Sequence, residues 1–257
     1  MKLVVIGSGS LGNCYLLIAE NGDVLILDAG VQYKKLIASL APYGGLRNVR
    51  GCLVTHEHQD HALCVPMLLQ RGISCYMSAP TKSSLDDNIA LTGPSRLVKG
   101  GETFPVLGCF TECFTVKAFE TEHDAAGPLG YLIRCNSTGE IIVYATDTYF
   151  LRNTFVGVNY WLLECNYIDD IVREQLDSGS LNKPLYDRLA SSHMSLNRLK
   201  SALAANDLTW TRKIVLVHMS DTRSDESRMV REIATQTGKE TVAASNGMVI
   251  DLALAPF

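Results

Sequence analysis

Three of the chain's six histidines fall within six residues, in Thr55-His56-Glu57-His58-Gln59-Asp60-His61, directly after the short β-rich run from Gly51 to Thr55. Side-chain direction repeats every two residues along an extended chain, so His56 and His58 point the same way and can reach one cation. A turn at the start of a following helix then aims Asp60 and His61 at a second position nearby. Neutral imidazole with carboxylate oxygen fits Zn, Mn or Fe, and the absence of cysteine from the cluster argues against a closed structural zinc site. A polar surface loop is the competing explanation, but HxHxDH after a strand is a specific, mechanism-bearing pattern.

The surrounding pattern is a β-meander that gives way to alternating strands and helices. Leu3 to Ile6, Cys14 to Ala19 and Val24 to Leu27 read as strands, with Asn21-Gly22 as a type I′ turn between the last two. Helical spacing follows over Val31 to Leu40 and Leu63 to Leu69. A second meander runs from Thr115 to Thr146, turning at Ser137-Thr138-Gly139, and further strands are expected over Tyr160 to Glu164 and Lys213 to Val217. Helices are expected near 168–176, 184–190, 195–205 and 226–236, and a final strand pair turning at Asn246-Gly247 closes the chain. Two β-rich halves with accompanying helices predict an α/β fold, a four-layer αββα sandwich forming one domain over 1–257.

At 47% hydrophobic residues in 257, the chain can build a substantial core. Its longest apolar runs are far short of the ~20 residues of a membrane-spanning helix. Lys2 and four apolar residues lead straight to Gly7-Ser8-Gly9, with no signal-peptide core, so a soluble, cytoplasmic protein without membrane partners is expected. Cysteines 14, 52, 64, 75, 109, 113, 135 and 165 form no CxxC pair and read as buried reduced thiols. The net charge of −4 is not that of a dedicated nucleic-acid binder. The basic stretch from Lys183 to Lys213 reads as a solvated helix face.

The remaining candidate ligands sit at expected strand ends: His123 after Val116–Phe119, Asp147 after Ile141–Thr146, and His218 after Ile214–Val217. A carboxylate such as Asp147 can bridge two cations as an imidazole cannot. With these residues in order behind Leu27-Asp28-Ala29-Gly30 and the HxHxDH segment, the chain resembles the metallo-β-lactamase superfamily over almost its whole length. The resemblance implies His56, His58 and His123 on one metal, Asp60, His61 and His218 on a second, Asp147 between them, and Asp28 supporting the metal loop.

More narrowly, Ser8-Gly9-Ser10-Leu11-Gly12-Asn13, His123-Asp124-Ala125-Ala126 and Glu164-Cys165-Asn166 are similar to the YycJ/WalJ group, considered DNA-exonuclease-like. Tyr167 stands where that group tends to carry histidine. His193-Met194-Ser195 followed by His218-Met219-Ser220 resembles the paired histidine segments of ribonuclease Z and its phosphodiesterase relatives. That likeness implies Glu164 as orienting carboxylate and His193 as proton donor or phosphate contact; Asp60 is taken as a third catalytic group. Asp221-Thr222-Arg223 lacks the Arg-Tyr ending of ribonuclease Z, which disfavours transfer-RNA processing. Ser8, Ser10 and Asn13 lie in a loop suited to placing polar groups against a phosphate.

The expected function is a metal-dependent phosphodiesterase, a DNA exonuclease in which hydroxide on a dinuclear Zn or Mn centre attacks phosphorus and His193 assists the leaving group. Cyclic-nucleotide cleavage, lactone, thioester or β-lactam hydrolysis, and a non-enzymatic binding module are the alternatives. The oligomeric state is left open.

Overall fold

The computed structural model describes residues 1–87, 90–108 and 112–252, and these fall into two compact units. Cys109 lies outside the described residues. The first unit comprises Met1–Glu120, Ala125–Glu140 and the segment from Ser245; the second comprises Thr121–Asp124 and Ile141–Ala244.

The first unit is organised by a seven-stranded sheet. Its strands are β1 (Lys2–Gly7), β2 (Cys14–Ile18), β3 (Val24–Leu27), β4 (Val49–Leu53), β5 (Cys75–Met77), β6 (Ser95–Leu97) and the terminal strand Val249–Asp251, which lies beside β1. β1 to β3 and the terminal strand run antiparallel, whereas β3 to β6 are parallel. β2 and β3 are buried at every position, which is why they read as unbroken apolar runs instead of alternating ones.

Even-numbered residues such as Ile6, Leu16, Ile26 and Cys52 pack in one cluster with Leu36 and Leu40 of α1 (Tyr33–Leu40) and with Leu68 and Leu69. The opposite face is covered near β4 and β5 by the antiparallel strands β7 (Thr103–Leu107), β8 (Glu112–Glu120) and β9 (Leu129–Cys135). Phe104 stacks on Tyr76 at 5.0 Å, and the Tyr131 hydroxyl donates to the Val54 carbonyl at 2.6 Å. Each such fully buried large side chain contributes roughly 1.5–3 kcal/mol.

The second unit is a parallel sheet in the order β10 (Ile141–Ala145), β11 (Tyr160–Glu164), β12 (Lys213–Val217), β13 (Glu240–Ala243). Its helices are Asp169–Asp177, Lys183–Ser192, Leu196–Ala204 and Glu226–Thr237. In a parallel sheet all carboxyl ends lie on one edge, where ligands are commonly bound. That edge presents Asp147, Glu164 and His218 in consecutive strand order.

Two turns differ from the sequence expectation. Gly22 has φ 85°, but Asn21 is not among the positive-φ residues, and Gly22 N donates to Ala19 O; the connection is a type I turn closed by a left-handed glycine, not type I′. The strands around Asn246-Gly247 do not form a pair, because β13 adds to β12 while Val249–Asp251 adds to β1. Gly247 N donates to Val5 O, so the turn delivers the chain to a new partner instead of folding it back.

Candidate metal-ligand clusters and their relatives

In the first unit, β4 runs through Val54 and Thr55 into His56, which is fully buried. His58 then caps the short helix α2 (Gln59–Ala62), which carries Asp60 and His61. The segment is held from below by Asp28, fully buried at the end of β3. Thr55 N donates to Asp28 Oδ1 at 2.8 Å, and His61 Nδ1 lies 2.9 Å from Asp28 Oδ2. That bond fixes the His61 tautomer with the proton on Nδ1 and the lone pair on Nε2, the arrangement a metal ligand needs.

Backbone bonds knit the same region together: Asn13 N donates to Asp60 O and Ala29 N to His61 O, both at 2.7 Å. Gly30 permits this approach, since a Cβ there would lie 1.7 Å from the Asp60 carbonyl oxygen. Asn13 is fully buried, with Nδ2 3.0 Å from His61 Nε2 and Oδ1 accepting from Gly9 N. Ser8 accepts from the Tyr15 hydroxyl at 3.0 Å, and Ser10 is exposed at the loop tip.

In the second unit, Glu164 is fully buried at the end of β11 and accepts four bonds. Oε1 receives His193 Nδ1 at 2.6 Å and His218 Nδ1 at 3.0 Å; Oε2 receives Thr148 N at 3.0 Å and Met194 N at 3.1 Å. Burial pushes this carboxyl pKa up, but the charge of His193 and the bonds from both histidines outweigh it and hold the group below its ordinary value. Burial likewise lowers the His193 pKa, yet the adjacent Glu164 outweighs that and raises it, which favours the imidazolium. His193 and His218 stack with centroids 5.4 Å apart.

His123 behaves oppositely: burial lowers its pKa against the upward pull of Asp147, so it is kept neutral. Its Nδ1 donates to Ser192 O at 2.9 Å, leaving the Nε2 lone pair 3.5 Å from Asp147 Oδ2. Asp147, Glu164, His193 and His218 each offer a ligand atom, all within 4.8 Å of one another.

The described non-glycine residues with positive φ are Asp28 (54°), Asp147 (48°) and His218 (52°). Each follows the end of a strand, and each such conformation costs roughly 1–3 kcal/mol that the surrounding packing must offset. The coincidence of this strain with the candidate ligands is a property of the structure that spacing alone does not reveal.

The donor chemistry suits a divalent cation. His56 Nε2 and His58 Nδ1 are 3.0 Å apart, a separation fitting two nitrogens that share one ion at bonds of about 2.0–2.1 Å.

Sequence reading passed over Thr55, whose hydroxyl bonds Asp28 and lies 3.0 Å from His56 Nδ1. It also gave no role to Asn166, whose amide donates to His218 O at 2.9 Å. Position offered a signal for both: Thr55 sits between strand and first histidine, and Asn166 within the Glu164-Cys165-Asn166 segment. In the basic stretch, Lys183, Arg188, Lys200 and Lys213 pair with Asp187, Asp124, Glu232 and Glu240. Such pairing fits a solvated surface better than a phosphate-binding patch.

Comparison with known proteins follows the same lines. The beta-lactamase superfamily domain matches residues 24–219. Exodeoxyribonuclease WalJ of Streptococcus pneumoniae is 26% identical over 263 residues, covering 97% of this chain and 91% of that protein. Exodeoxyribonuclease YycJ of Bacillus anthracis is 27% identical over 225 residues, 84% and 81% of the respective lengths. Among solved structures, Zn(2+)-bound PqqB from Methylobacterium extorquens superposes with a TM-score of 0.73 at 16% identity, over 98% of this chain and 100% of that one. The fold is therefore the α/β sandwich of the metallo-β-lactamase type, with the divalent-metal chemistry that this fold implies. The chain belongs to the beta-lactamase superfamily domain family and is a hydrolase of it.

Proposed function

We propose that the protein is a metal-dependent phosphodiesterase that removes nucleotides from DNA ends, working as one functional domain in the cytoplasm. The observation that carries this reading is the His193–Glu164 pair, 2.6 Å apart on the sheet edge that also bears Asp147 and His218. The exodeoxyribonuclease names of two relatives aligned over most of the chain support DNA as its substrate. Among the described residues no helix is long and apolar enough to cross a membrane. The seven described cysteines are free and buried, in keeping with a reducing compartment.

Two divalent ions, Zn or Mn, would be held by His56, His58 and His123 and by Asp60, His61 and His218, with Asp147 shared. When bound, they supply charge neutralisation at phosphorus and a nucleophilic water at neutral pH. Around them the chain's own groups divide the remaining work. Asp28 and Ser192 O fix the tautomers of His61 and His123 so that ligand lone pairs face outward from their supports. Glu164 orients His193 through Nδ1 and stabilises its imidazolium, leaving Nε2–H to protonate the departing sugar oxygen. An unactivated alkoxide needs that proton. Ser8 and Ser10 are the candidate phosphate contacts on the loop after β1, with Asn13 at its base.

The test is turnover of end-labelled DNA by Mn- and Zn-loaded protein. Stepwise shortening supports the reading, whereas intact DNA with turnover of cyclic nucleotides or lactones replaces it.

A further inference from the structure

A cavity of about 460 Å³ in the first unit is lined by Glu57, His58, Gln59, Ala62, Leu63, Pro66 and Leu85. Its size falls within the range of small-molecule sites, which are mostly apolar with a few placed polar groups. The metal-centre reading does not use it, yet one of its walls is His58, a proposed ligand. His58 thus lines the cavity and also turns Nδ1 toward His56 Nε2 at 3.0 Å, which puts the cavity beside that pair of candidate ligands.

We propose that this cavity is the subsite for the nucleobase of the terminal nucleotide, the one whose phosphodiester is cut. The proposal builds on the phosphodiesterase reading and supplies what that reading lacks, a hold on the substrate beyond its phosphate. Leu63, Pro66 and Leu85 are half-buried and offer an apolar wall to a base's π-face. Gln59 is exposed on the same cavity, and its amide both donates and accepts. A group with both capacities bonds the edge of any base, so the subsite recognises that a base is present without selecting which one. Apolar packing of a base's face against aliphatic side chains carries no hydrogen-bonding pattern and is likewise tolerant of sequence.

The wall is built to keep its shape. Glu57 Oε1 accepts from Ala126 N at 2.9 Å, anchoring the stretch between His56 and His58 to a neighbouring loop. α3 (Ala79–Asp86), which carries Leu85, is capped by Ser78, whose hydroxyl accepts from Thr81 N, while Thr81 Oγ1 donates to Ala126 O at 2.9 Å. The same loop thus braces both sides of the cavity.

The experiment compares Mn-loaded protein on oligonucleotides ending in a normal nucleotide with others ending, at either terminus, in an abasic tetrahydrofuran nucleotide. Bis(p-nitrophenyl) phosphate, which has no base, serves as the control for the metal chemistry. Losing the base should lower kcat/KM for the first cleavage about tenfold, chiefly through KM, as expected for burying part of one base's apolar face against Leu63, Pro66 and Leu85. Leu85→Trp, which obstructs the cavity, and the gentler Leu63→Ala should reproduce the loss on normal ends while keeping bis(p-nitrophenyl) phosphate turnover. Equal rates on normal and abasic ends, or variants that cut DNA like the wild type, overturn the proposal.

If DNA is not cut although bis(p-nitrophenyl) phosphate is, the exonuclease reading fails separately, and equilibrium dialysis of the Mn-loaded protein decides the subsite. Tighter binding of deoxyadenosine monophosphate than of deoxyribose 5-phosphate then upholds it, and equal binding overturns it.

Discussion

If His193 delivers the proton as proposed, replacing it separates that step from everything else the protein does. Glu164 accepts four bonds, from His193, His218, Thr148 N and Met194 N. His193→Ala removes one and leaves three, so the buried carboxylate stays satisfied and the sheet edge keeps its shape. General acid catalysis contributes about 10²–10⁴-fold, so we expect DNA cleavage to slow roughly 10³-fold, which at 1.36 kcal/mol per decade is about 4 kcal/mol of barrier. Nitrophenolate departs without a proton, and bis(p-nitrophenyl) phosphate turnover should fall by no more than about threefold. His193→Gln sharpens the test, because its amide can still donate to Glu164 but holds no transferable proton; it should match the alanine variant on DNA. Equal loss on both substrates, or restoration of DNA cleavage by glutamine, would refute the assignment of His193 as proton donor.

Asp28→Asn should weaken metal binding about 10–100-fold, because the amide no longer secures the His61 tautomer; competition with a chromogenic chelator measures it, and unchanged affinity would remove Asp28 from the account. Asp23 accepts from Arg50 Nε and the Cys113 thiol, and although burial pushes its pKa up, those bonds hold it below the ordinary carboxyl value. Its stabilisation is therefore present above the unfolded-state value of about 4 and lost as pH falls through the depressed folded value. Asp23→Asn should cost about 2 kcal/mol at neutral pH by urea unfolding, with the difference from wild type shrinking as pH drops below about 4; a pH-independent difference would contradict it.

The parts of the fold visible in the sequence are those whose local pattern and tertiary role agree. β2 and β3 are apolar throughout because both their faces are buried, and Gly30 follows Asp28 because backbone must pass against backbone there. β5, β6 and β7 were not legible. Cys75–Met77 and Ser95–Leu97 are too short to show a period, and β7 carries Pro105, which argues against a strand unless its position spares the missing donor. α3 escaped for a similar reason, since its mixed face gives no apolar stripe and its start depends on the Ser78 cap. At the candidate site, residue types and strand-end positions were readable, but φ of 48–54° at Asp28, Asp147 and His218 was not. The partnership of Glu164 with His193, 29 residues away, was readable only through the likeness to the ribonuclease Z segments, because no local pattern carries it and it depends on how the second unit folds.

The most direct test of the central claim strips the protein of metal, restores Mn or Zn, and follows end-labelled single- and double-stranded DNA alongside a His56→Ala control. The account predicts stepwise shortening that requires added metal and is lost in the variant. Shortening that persists without metal or in His56→Ala, or DNA that stays intact with either ion, would contradict it.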